Sequence, residues 1–311
     1  MYIGIDIGGT KCAVVKGERL ESGDMRIIEK IRFETRGFKE TLDKIIDSVR
    51  ALMPCEKIGI SCGGPLDEKA GVILSPPNLP GWDEVHITDM LTKEFSVPVR
   101  LCNDANACAL AEWRFGAGKG CENMVFMTFG TGLGAGLIID GRLYGGTSGM
   151  AGEAGHIRLA KDGPVGYGKA GSFEGFCSGG GIARLAKSYA ESALLSGRTA
   201  FGCKSAEQIE KIDTKMIADL AKADDPDARL IFDTSAEKLG MGLSVIIDIL
   251  NPERIVLGGI YTRCEDLFKP GMTKVLTDEA LAPSLSACEI VPAALGESIG
   301  DIAALAVADS I

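Results

Sequence analysis

The sequence contains no long apolar run, no cluster of basic residues and no Cys-x-x-Cys pair, and each absence excludes a class of protein. A membrane-spanning helix needs about 20 consecutive apolar residues, so no membrane span is predicted. Because the net charge is −10, neither nucleic acid nor an anionic membrane surface is an expected partner. The ten scattered cysteines predict reduced thiols in a cytoplasmic protein rather than a disulfide framework. Since Met1 precedes the first predicted strand directly, no signal peptide is expected.

Two Gly-rich turns carry the strongest functional signal. The first contains Gly8, Gly9, Thr10 and Lys11 and follows an apolar strand that includes Asp6; the second contains Thr128, Gly130, Thr131, Gly132 and Gly134. Glycine lets backbone N–H groups approach an anion, so the pair predicts a nucleotide phosphate site. An ordinary hairpin turn is the alternative for either turn alone. The glycines join strand to strand, and no G-x-x-x-x-G-K-[ST] motif occurs, which argues against dinucleotide-binding and P-loop folds.

The distribution of apolar residues predicts a mixed α/β chain with two lobes. Strands are expected at 2–7, 12–16, 26–33, 57–62, 72–74, 97–102, 124–128, 133–139, 254–257 and 289–291, and helices at 38–53, 103–113, 181–250 with breaks, after 259, and at 298–308. The Gly-rich segment 116–120 is the predicted domain crossing. It would separate a small lobe, residues 1–117 with the C-terminal helix 295–311, from a large lobe, residues 118–294. A ligand cleft is expected between the two.

Asn103 and Asp104 lie where a predicted strand ends and a helix begins. One of the two would suffice to cap the helix. The presence of both predicts that Asp104 is a general base, which takes a proton from a substrate hydroxyl while Asn103 donates to a neighbouring oxygen. Capping alone is the alternative.

Glu153, His156 and Glu174 form a second polar group within Gly-rich sequence. Two carboxylates and an imidazole suit a polyhydroxylated ligand, because each hydroxyl donates one hydrogen bond and accepts two. These residues predict a sugar site, with a surface polar patch as the alternative. Gly258 and Gly259 end another predicted strand, where they would let an adenine ring lie against the backbone.

Taken in order, these motifs resemble the ROK family of bacterial sugar kinases, a branch of the actin, Hsp70 and hexokinase superfamily. The resemblance covers essentially the whole chain and is carried by the segments 6–11, 59–65, 78–82, 103–106, 128–134 and 152–156 and by Glu174. It implies a two-lobed actin-like ATPase (ribonuclease H-like) fold and transfer of the γ-phosphoryl group of ATP to a hexose hydroxyl, most often the 6-OH. Family precedent favours a homodimer.

The resemblance also implies a role for each site residue. The turns at 8–11 and 130–134, together with Thr128, would hold the ATP phosphates, and Asp6 would help position Mg²⁺ through water. Asp104 would be the base. The residues that hydrogen-bond the sugar would be Asn103, Glu153, His156 and Glu174, with Gly64 and Asn78 close by.

One segment departs from the family pattern. Many ROK kinases hold a structural zinc with one histidine and three cysteines in C-x-C-G-x-x-G-C-x-E, whereas Val165, Tyr167 and Ser172 stand at the thiolate positions here. A structural zinc needs about four ligands, of which only His156 remains. We therefore predict no zinc. Either aromatic packing replaces the metal in this loop, or the loop is looser and the acceptor specificity altered.

The predicted activity is an ATP- and Mg²⁺-dependent hexose kinase, with glucose as the first choice of acceptor. N-acylhexosamines, fructose and allose remain alternatives. A catalytically inactive sugar-sensing regulator is the alternative of a different class; against it, Asp6, Lys11 and Asp104 are all present. A DNA-binding repressor is not expected, because no winged helix precedes the first strand.

Overall fold

The computed structural model describes all 311 residues, which form 14 strands and 11 α-helices. The strands are β1 (Tyr2–Ile7), β2 (Lys11–Arg19), β3 (Met25–Glu34), β4 (Lys57–Cys62), β5 (Leu66–Asp67), β6 (Val72–Ile73), β7 (Val99–Asn103), β8 (Met124–Met127), β9 (Ala135–Ile139), β10 (Arg142–Leu143), β11 (Val165–Gly166), β12 (Lys169–Ala170), β13 (Arg254–Leu257) and β14 (Glu289–Pro292). The helices are α1 (Phe38–Leu52), α2 (Ile87–Phe95), α3 (Asp104–Phe115), α4 (Phe173–Cys177), α5 (Gly179–Leu195), α6 (Ala206–Glu210), α7 (Thr214–Lys222), α8 (Pro226–Leu250), α9 (Ile260–Glu279), α10 (Ala282–Ala287) and α11 (Ile299–Asp309). Two 3₁₀ turns lie at Ala154–His156 and Gly296–Ser298.

The chain divides into two compact units. Unit 1 contains residues 1–126, 136–152 and 293–311, and unit 2 contains residues 127–135 and 153–292. The sequence analysis assigned 118–126 and 136–152 to the large lobe, whereas both segments belong to unit 1. One reason is that β9 packs closely on α3: a Cβ on Gly136 would lie 2.5 Å from the Cβ of Ala109. The limits 1–117 and 118–294 stay a prediction.

A five-stranded sheet with the order β3-β2-β1-β4-β7 organises unit 1. Strand β1 pairs antiparallel with β2 and parallel with β4, and β7 continues the parallel arrangement beside β4. In this register Ile7 lies opposite Cys62, and Cys62 lies opposite Asn103. The carboxyl ends of three neighbouring strands therefore reach the same edge of the sheet, which is where α/β sheets usually bind ligands.

Different helices cover the two faces of this sheet. Helix α1 places Leu42, Ile45 and Val49 at helical spacing in the same buried apolar cluster as the isoleucines of β1 and β4. On the other face, α11 lies directly against the backbone of β4. A Cβ on Gly59 would lie 2.3 Å from the carbonyl oxygen of Ala304 in α11. The glycines of β1 and β4 thus allow the C-terminal helix to pack against the strands that end at the candidate site.

In unit 2, helices α8 and α9 pack extensively against each other. The ring of Phe268 on α9 contacts those of Phe129 and Phe232 at centroid distances of 5.1 and 5.3 Å. Strands β13 and β14 pair in parallel within this unit. In unit 1, β9 and β10 form an antiparallel hairpin.

The helical region predicted over 181–250 is four separate helices, α5 to α8. Ser205, Asp213 and Asp225 each accept a hydrogen bond from the backbone N–H three residues later, and each caps a new helix. The predicted break near Pro226 is confirmed, because this proline occupies the first turn of α8, where its missing N–H costs nothing. Helices α2, α4 and α10 and the short strands β5, β10, β11 and β12 were not predicted.

Candidate active site

The turn between β1 and β2 requires glycine at its first two positions. The N–H of Gly8 donates to the carbonyl of Lys11 at 3.2 Å, and a Cβ on Gly8 would lie 2.8 Å from that oxygen. A Cβ on Gly9 would lie 2.6 Å from the Cβ of Asn78. The side chains of Thr10 and Lys11 are exposed. The structure therefore places Asn78, expected near the sugar, against the turn expected to hold phosphate.

Carboxylates lie close to one another in unit 1, near the end of β1. Burial, and then the negative charges of Asp301 and Asp104, raise the pKa of Asp6 from 3.8 to about 6. The positive charges of Lys30 and Arg32 oppose this shift, and the ammonium of Lys30 lies 2.5 Å from Oδ2 of Asp301. Asp301 comes from the first turn of α11 and was not predicted. Burial therefore disfavours the charged form of Asp6 more than its neighbouring charges do.

Asp104 begins α3, and Asn103 is its N-cap. Oδ1 of Asn103 and Oδ1 of Asp104 both accept a hydrogen bond from the N–H of Ala105, at 3.0 and 2.9 Å, but only Asn103 stands at the capping position. Oδ2 of Asp104 has no such bond and lies near Gly63, where a Cβ would be 3.8 Å away. A Cβ on Gly64 would lie 3.6 Å from Nδ2 of Asn103. The hydrogen bond to Ala105 therefore leaves one carboxylate oxygen of Asp104 available.

The pKa of Asp104 is raised above its ordinary value. The residue is accessible to solvent in unit 1, yet the surrounding protein desolvates its carboxyl group and raises the pKa, against the opposing effect of the Ala105 hydrogen bond. A carboxylate with a free oxygen and a raised pKa accepts a proton more readily, as a general base must.

Sequence reasoning missed Glu68, which follows β5. Its Oε1 accepts hydrogen bonds from the N–H of Asn103 at 2.8 Å and from Nδ2 of Asn106 at 3.0 Å. Asn106 is 2% exposed, so the amide that Glu68 binds is fixed inside the unit. Glu68 therefore anchors the strand-to-helix corner that carries Asp104. No local signal could have found it, because 35 residues separate Glu68 from Asn103.

The loop 128–134 of unit 2 closes on itself. The N–H of Thr128 donates to the carbonyl of Gly134, and the N–H of Gly134 donates to Oγ1 of Thr128, both at 2.9 Å. The N–H of Gly130 donates to the carbonyl of Gly132 at 3.1 Å. The side chain of Thr131 is exposed. The predicted phosphate residues of this segment thus belong to one hydrogen-bonded loop.

Gly258 and Gly259 lie behind this loop. The N–H of Gly258 donates to the carbonyl of Met127 at 2.9 Å. Gly259 has φ +61°, and a Cβ there would lie 2.1 Å from the carbonyl oxygen of Phe129. The two glycines support the backbone from which the loop starts, and their contact with adenine stays a prediction.

A cavity of about 790 Å³ adjoins the loop within unit 2. It is lined by Gly130, Thr131, Gly179, Gly180, Ala183, Asp213, Thr214, Lys215, Ala218, Asp219, Lys222, Ile260, Arg263 and Cys264. Its three cationic side chains suit phosphate oxygens, and its apolar side chains suit a planar ring. The first N–H of α5, that of Gly179, already donates to the carbonyl of Gly130 at 2.7 Å. Only Gly130 and Thr131 among these residues were predicted. Ser178, which caps α5 ahead of three glycines, is the signal that could have revealed the rest.

Three of the residues predicted to bind sugar, Glu153, His156 and Glu174, lie near the same loop. Glu153 and His156 flank a 3₁₀ turn, in which the N–H of His156 donates to the carbonyl of Glu153 at 3.1 Å, and both side chains are exposed. Glu174 belongs to α4, and its Oε2 accepts a hydrogen bond from the N–H of Leu133 at 3.1 Å. The predicted site residues thus fall into two groups. One, in unit 1, contains Asp6, Gly8, Gly9, Thr10, Lys11, Gly64, Asn78, Asn103 and Asp104; the other, in unit 2, contains the remainder.

The segment without zinc cysteines is held by other contacts. Ser172 is fully buried, and its Oγ accepts a hydrogen bond from the N–H of Gly175 at 3.1 Å, which caps α4. Phe173 and Phe176 are buried, whereas Tyr167 is 79% exposed and only its ring edge faces His156, at a centroid distance of 6.3 Å. Two of the three aromatic residues therefore pack as expected for a loop braced without metal. The absence of zinc stays a prediction.

None of the helices is both long enough and apolar enough to span a membrane. A family model described as ROK family matches residues 2–311. The glucokinase of Thermotoga maritima is 32% identical to the chain, over 98% of this chain and 96% of that protein. The xylose repressor of Caldicellulosiruptor bescii is 30% identical over 72% of this chain and 55% of the repressor.

Among solved structures, a ROK family glucokinase from Streptomyces griseus in complex with glucose and AMPPNP aligns with a TM-score of 0.77 and 32% identity, covering 100% of this chain and 99% of that one. The chain belongs to the ROK family and has the actin-like ATPase fold of its hexokinases and glucokinases. These similarities support sugar kinase activity and the use of ATP.

Proposed function

We propose that this protein is an ATP-dependent hexose kinase that phosphorylates the 6-OH of glucose. The observation that carries the proposal concerns Asp104, which lies at the start of α3, keeps Oδ2 out of the hydrogen bond to Ala105 and has a pKa raised by burial. The similarity to a glucokinase crystallised with glucose and AMPPNP supports the choice of substrates.

In the proposed reaction, Asp104 accepts the proton of the sugar hydroxyl while that oxygen attacks the γ-phosphorus of ATP. A bond forms between the sugar oxygen and phosphorus, the bond from phosphorus to the β,γ-bridging oxygen breaks, and ADP leaves. The ring hydroxyls would be held by Asn103, Glu153, His156 and Glu174, with Gly64 and Asn78 beside them. Such positioning lowers the entropic part of the barrier.

The phosphates of ATP would bind at the turn 8–11 in unit 1 and at the loop 128–134 in unit 2, which Gly258 and Gly259 support. The N–H groups that would donate to them are those of Gly9, Thr10, Thr131 and Gly132, because the N–H groups of Gly8, Thr128, Gly130, Leu133 and Gly134 already have acceptors within the protein. Asp6 fits a divalent cation, because a bound cation would favour the charged carboxylate against the burial and the neighbouring carboxylates that raise its pKa. Mg²⁺, when bound through water to Asp6, would neutralise charge on the transferring phosphoryl group. The homodimer and the cytoplasmic location stay predictions.

A coupled assay of ADP release over a panel of hexoses and N-acylhexosamines tests both the activity and the acceptor. Asp104→Asn should lower kcat by about 10²–10⁴-fold, the usual contribution of a general base, while the sugar Kd from calorimetry changes little. Asp278→Asn, at an exposed carboxylate on α9, is the matched control. Near-normal turnover in Asp104→Asn would eliminate Asp104 as the base.

A sugar-responsive regulator is the second candidate, favoured by the similarity to a xylose repressor. The same panel separates the two candidates. A regulator would bind one of the sugars by calorimetry without releasing ADP above the rate of a sugar-free control. Fructose, allose and N-acetylated hexosamines are the acceptors that would replace glucose if they gave the highest kcat/KM.

A further inference from the structure

Leu133 lies in the loop that the proposed function assigns to phosphate, and its backbone contacts segments assigned to the sugar. The N–H of Leu133, in the phosphate loop 130–134, donates to Oε2 of Glu174 at 3.1 Å. The carbonyl of Leu133 lies against the turn between Glu153 and His156, where a Cβ on Gly155 would be only 2.1 Å from that oxygen. Both peptide groups of Leu133 therefore contact the segments expected to bind sugar.

Leu133 has little freedom to move independently of these contacts. Its side chain is 4% exposed, and the loop around it is closed by the hydrogen bonds of Thr128 and Gly130. The carboxylate of Glu174 also lies against the preceding residue, because a Cβ on Gly132 would be 2.9 Å from Oε2. A displacement of this carboxylate would consequently displace the loop.

Glu174 itself is held from the other side. Helix α4 is capped by Ser172, and the adjoining Phe173 is fully buried. The backbone of Glu174 is therefore fixed, and the rotamer of its side chain decides where the carboxylate points. A hydrogen bond to an ionised carboxylate is roughly twice as strong as a neutral one, so this contact is suited to hold the N–H of Leu133 in place.

We propose that Glu174 couples the two substrate sites, so that sugar and nucleotide each raise the affinity of the other. The inference rests on the proposed function. A sugar hydroxyl that donates to one oxygen of Glu174 fixes the rotamer in which the other oxygen accepts from Leu133, and the loop is then ordered for phosphate. Glu174 acts toward the nucleotide as a positioning residue. By linkage, the effect of sugar on nucleotide affinity equals the effect of nucleotide on sugar affinity.

The experiment measures the Kd of AMPPNP by calorimetry in the presence of Mg²⁺, with and without a saturating sugar. The sugar is glucose or the acceptor that the ADP-release panel identifies. The ratio of the two Kd values is the coupling factor, which should be at least about fivefold in the unaltered protein. Glu174→Ala should reduce it to about one, and Glu174→Gln, which keeps an acceptor oxygen, should retain most of it.

Glu153→Ala is the matched control, because Glu153 is an exposed member of the proposed sugar site whose side chain has no hydrogen bond to the loop. It should weaken sugar binding and leave the coupling factor unchanged once sugar is saturating. Glu174→Asp supplies a second test should the alanine variant not fold, since the shorter side chain moves the carboxylate away from Leu133 and should also lower the factor.

Two results would overturn the coupling and leave the kinase proposal standing. One is an unaltered protein that binds both ligands with a coupling factor of one; the other is a Glu174→Ala or Glu174→Asp variant that keeps the full factor. A protein that neither binds nor phosphorylates any sugar of the panel would overturn the proposed function and this inference with it.

Discussion

Ionised Asp6 should lower the free energy of unfolding of the unliganded protein at neutral pH, and Asp6→Asn should raise it. The pKa of Asp6 is raised from 3.8 to about 6, mainly by burial and then by the charges of Asp301 and Asp104. At 1.36 kcal/mol per pKa unit, a difference of about two units corresponds to on the order of 3 kcal/mol of unfolding free energy, as an upper value. The amide in Asp6→Asn has a similar shape and carries no charge.

The pH dependence follows from the direction of the shift. Well below pH 3.8, Asp6 is protonated in both the folded and the unfolded protein and has no effect on stability. As the pH rises from 3.8 to about 6, the unfolded chain ionises first and the folded state becomes relatively less stable; above that window the full cost is present. Asp6→Asn should therefore exceed the unaltered protein in stability most at pH 7.5, and the difference should disappear toward pH 4.

Guanidinium unfolding and scanning calorimetry without Mg²⁺ or nucleotide, at half-unit steps from pH 4 to 8, measure this difference. Asp278→Asn, at an exposed carboxylate, controls for the general effect of net charge. A stability difference between Asp6→Asn and the unaltered protein that is constant across the range would refute the reasoning. So would an Asp6→Asn variant that is less stable at pH 7.5.

Three further predictions concern other parts of the molecule. Glu68→Ala should lower kcat about ten- to hundredfold with a smaller change in sugar KM, because the strand-to-helix corner that carries Asp104 loses the hydrogen bonds of Glu68. Glu68→Gln should recover part of the lost kcat, and steady-state kinetics measure both variants. Gly59→Ala should lower the free energy of unfolding by about 1–3 kcal/mol or more, measured by chemical denaturation, because its Cβ would meet the backbone of α11. Gly37→Ala should change that free energy little, because a Cβ there would have nothing within 4 Å. Elemental analysis of protein purified without added metal should find well under one zinc per chain, and a stoichiometric content would contradict our interpretation of the loop.

Local patterns were sufficient to predict the elements that position the site in unit 1. The alternation of apolar residues in β1 and the following glycines specify a strand and a tight turn within 11 residues of sequence. Asn103 and Asp104 were recognisable because capping is a local interaction between a side chain and the next backbone N–H groups. Each of these features depends on neighbours in the chain, which the sequence displays directly.

The residues that were missed depend on contacts between distant parts of the chain. Glu68 and Asp301 influence Asp104 and Asp6 only because the sheet and α11 bring them together. The cavity beside the phosphate loop was missed for a related reason: its walls come from the starts of α5, α7 and α9, which lie close in space and far apart in sequence. The periodicity of apolar residues indicated the helices of this region. Periodicity does not show which helices begin beside the same cavity.

The segment in which Val165, Tyr167 and Ser172 stand at the thiolate positions is held by packing and hydrogen bonds. Ser172 caps α4 where the family pattern has a thiolate, and a hydroxyl at an N-cap fixes the first turn by a hydrogen bond alone. The ring of Phe173 fills the space over Gly242, where a Cβ would lie 2.3 Å from a ring carbon, and Oγ of Ser235 donates to the carbonyl of Phe176 at 2.8 Å. These contacts hold both sides of Glu174 to the buried part of α8. They therefore fix the backbone of Glu174 within unit 2, and the rotamer of its side chain decides where the carboxylate points.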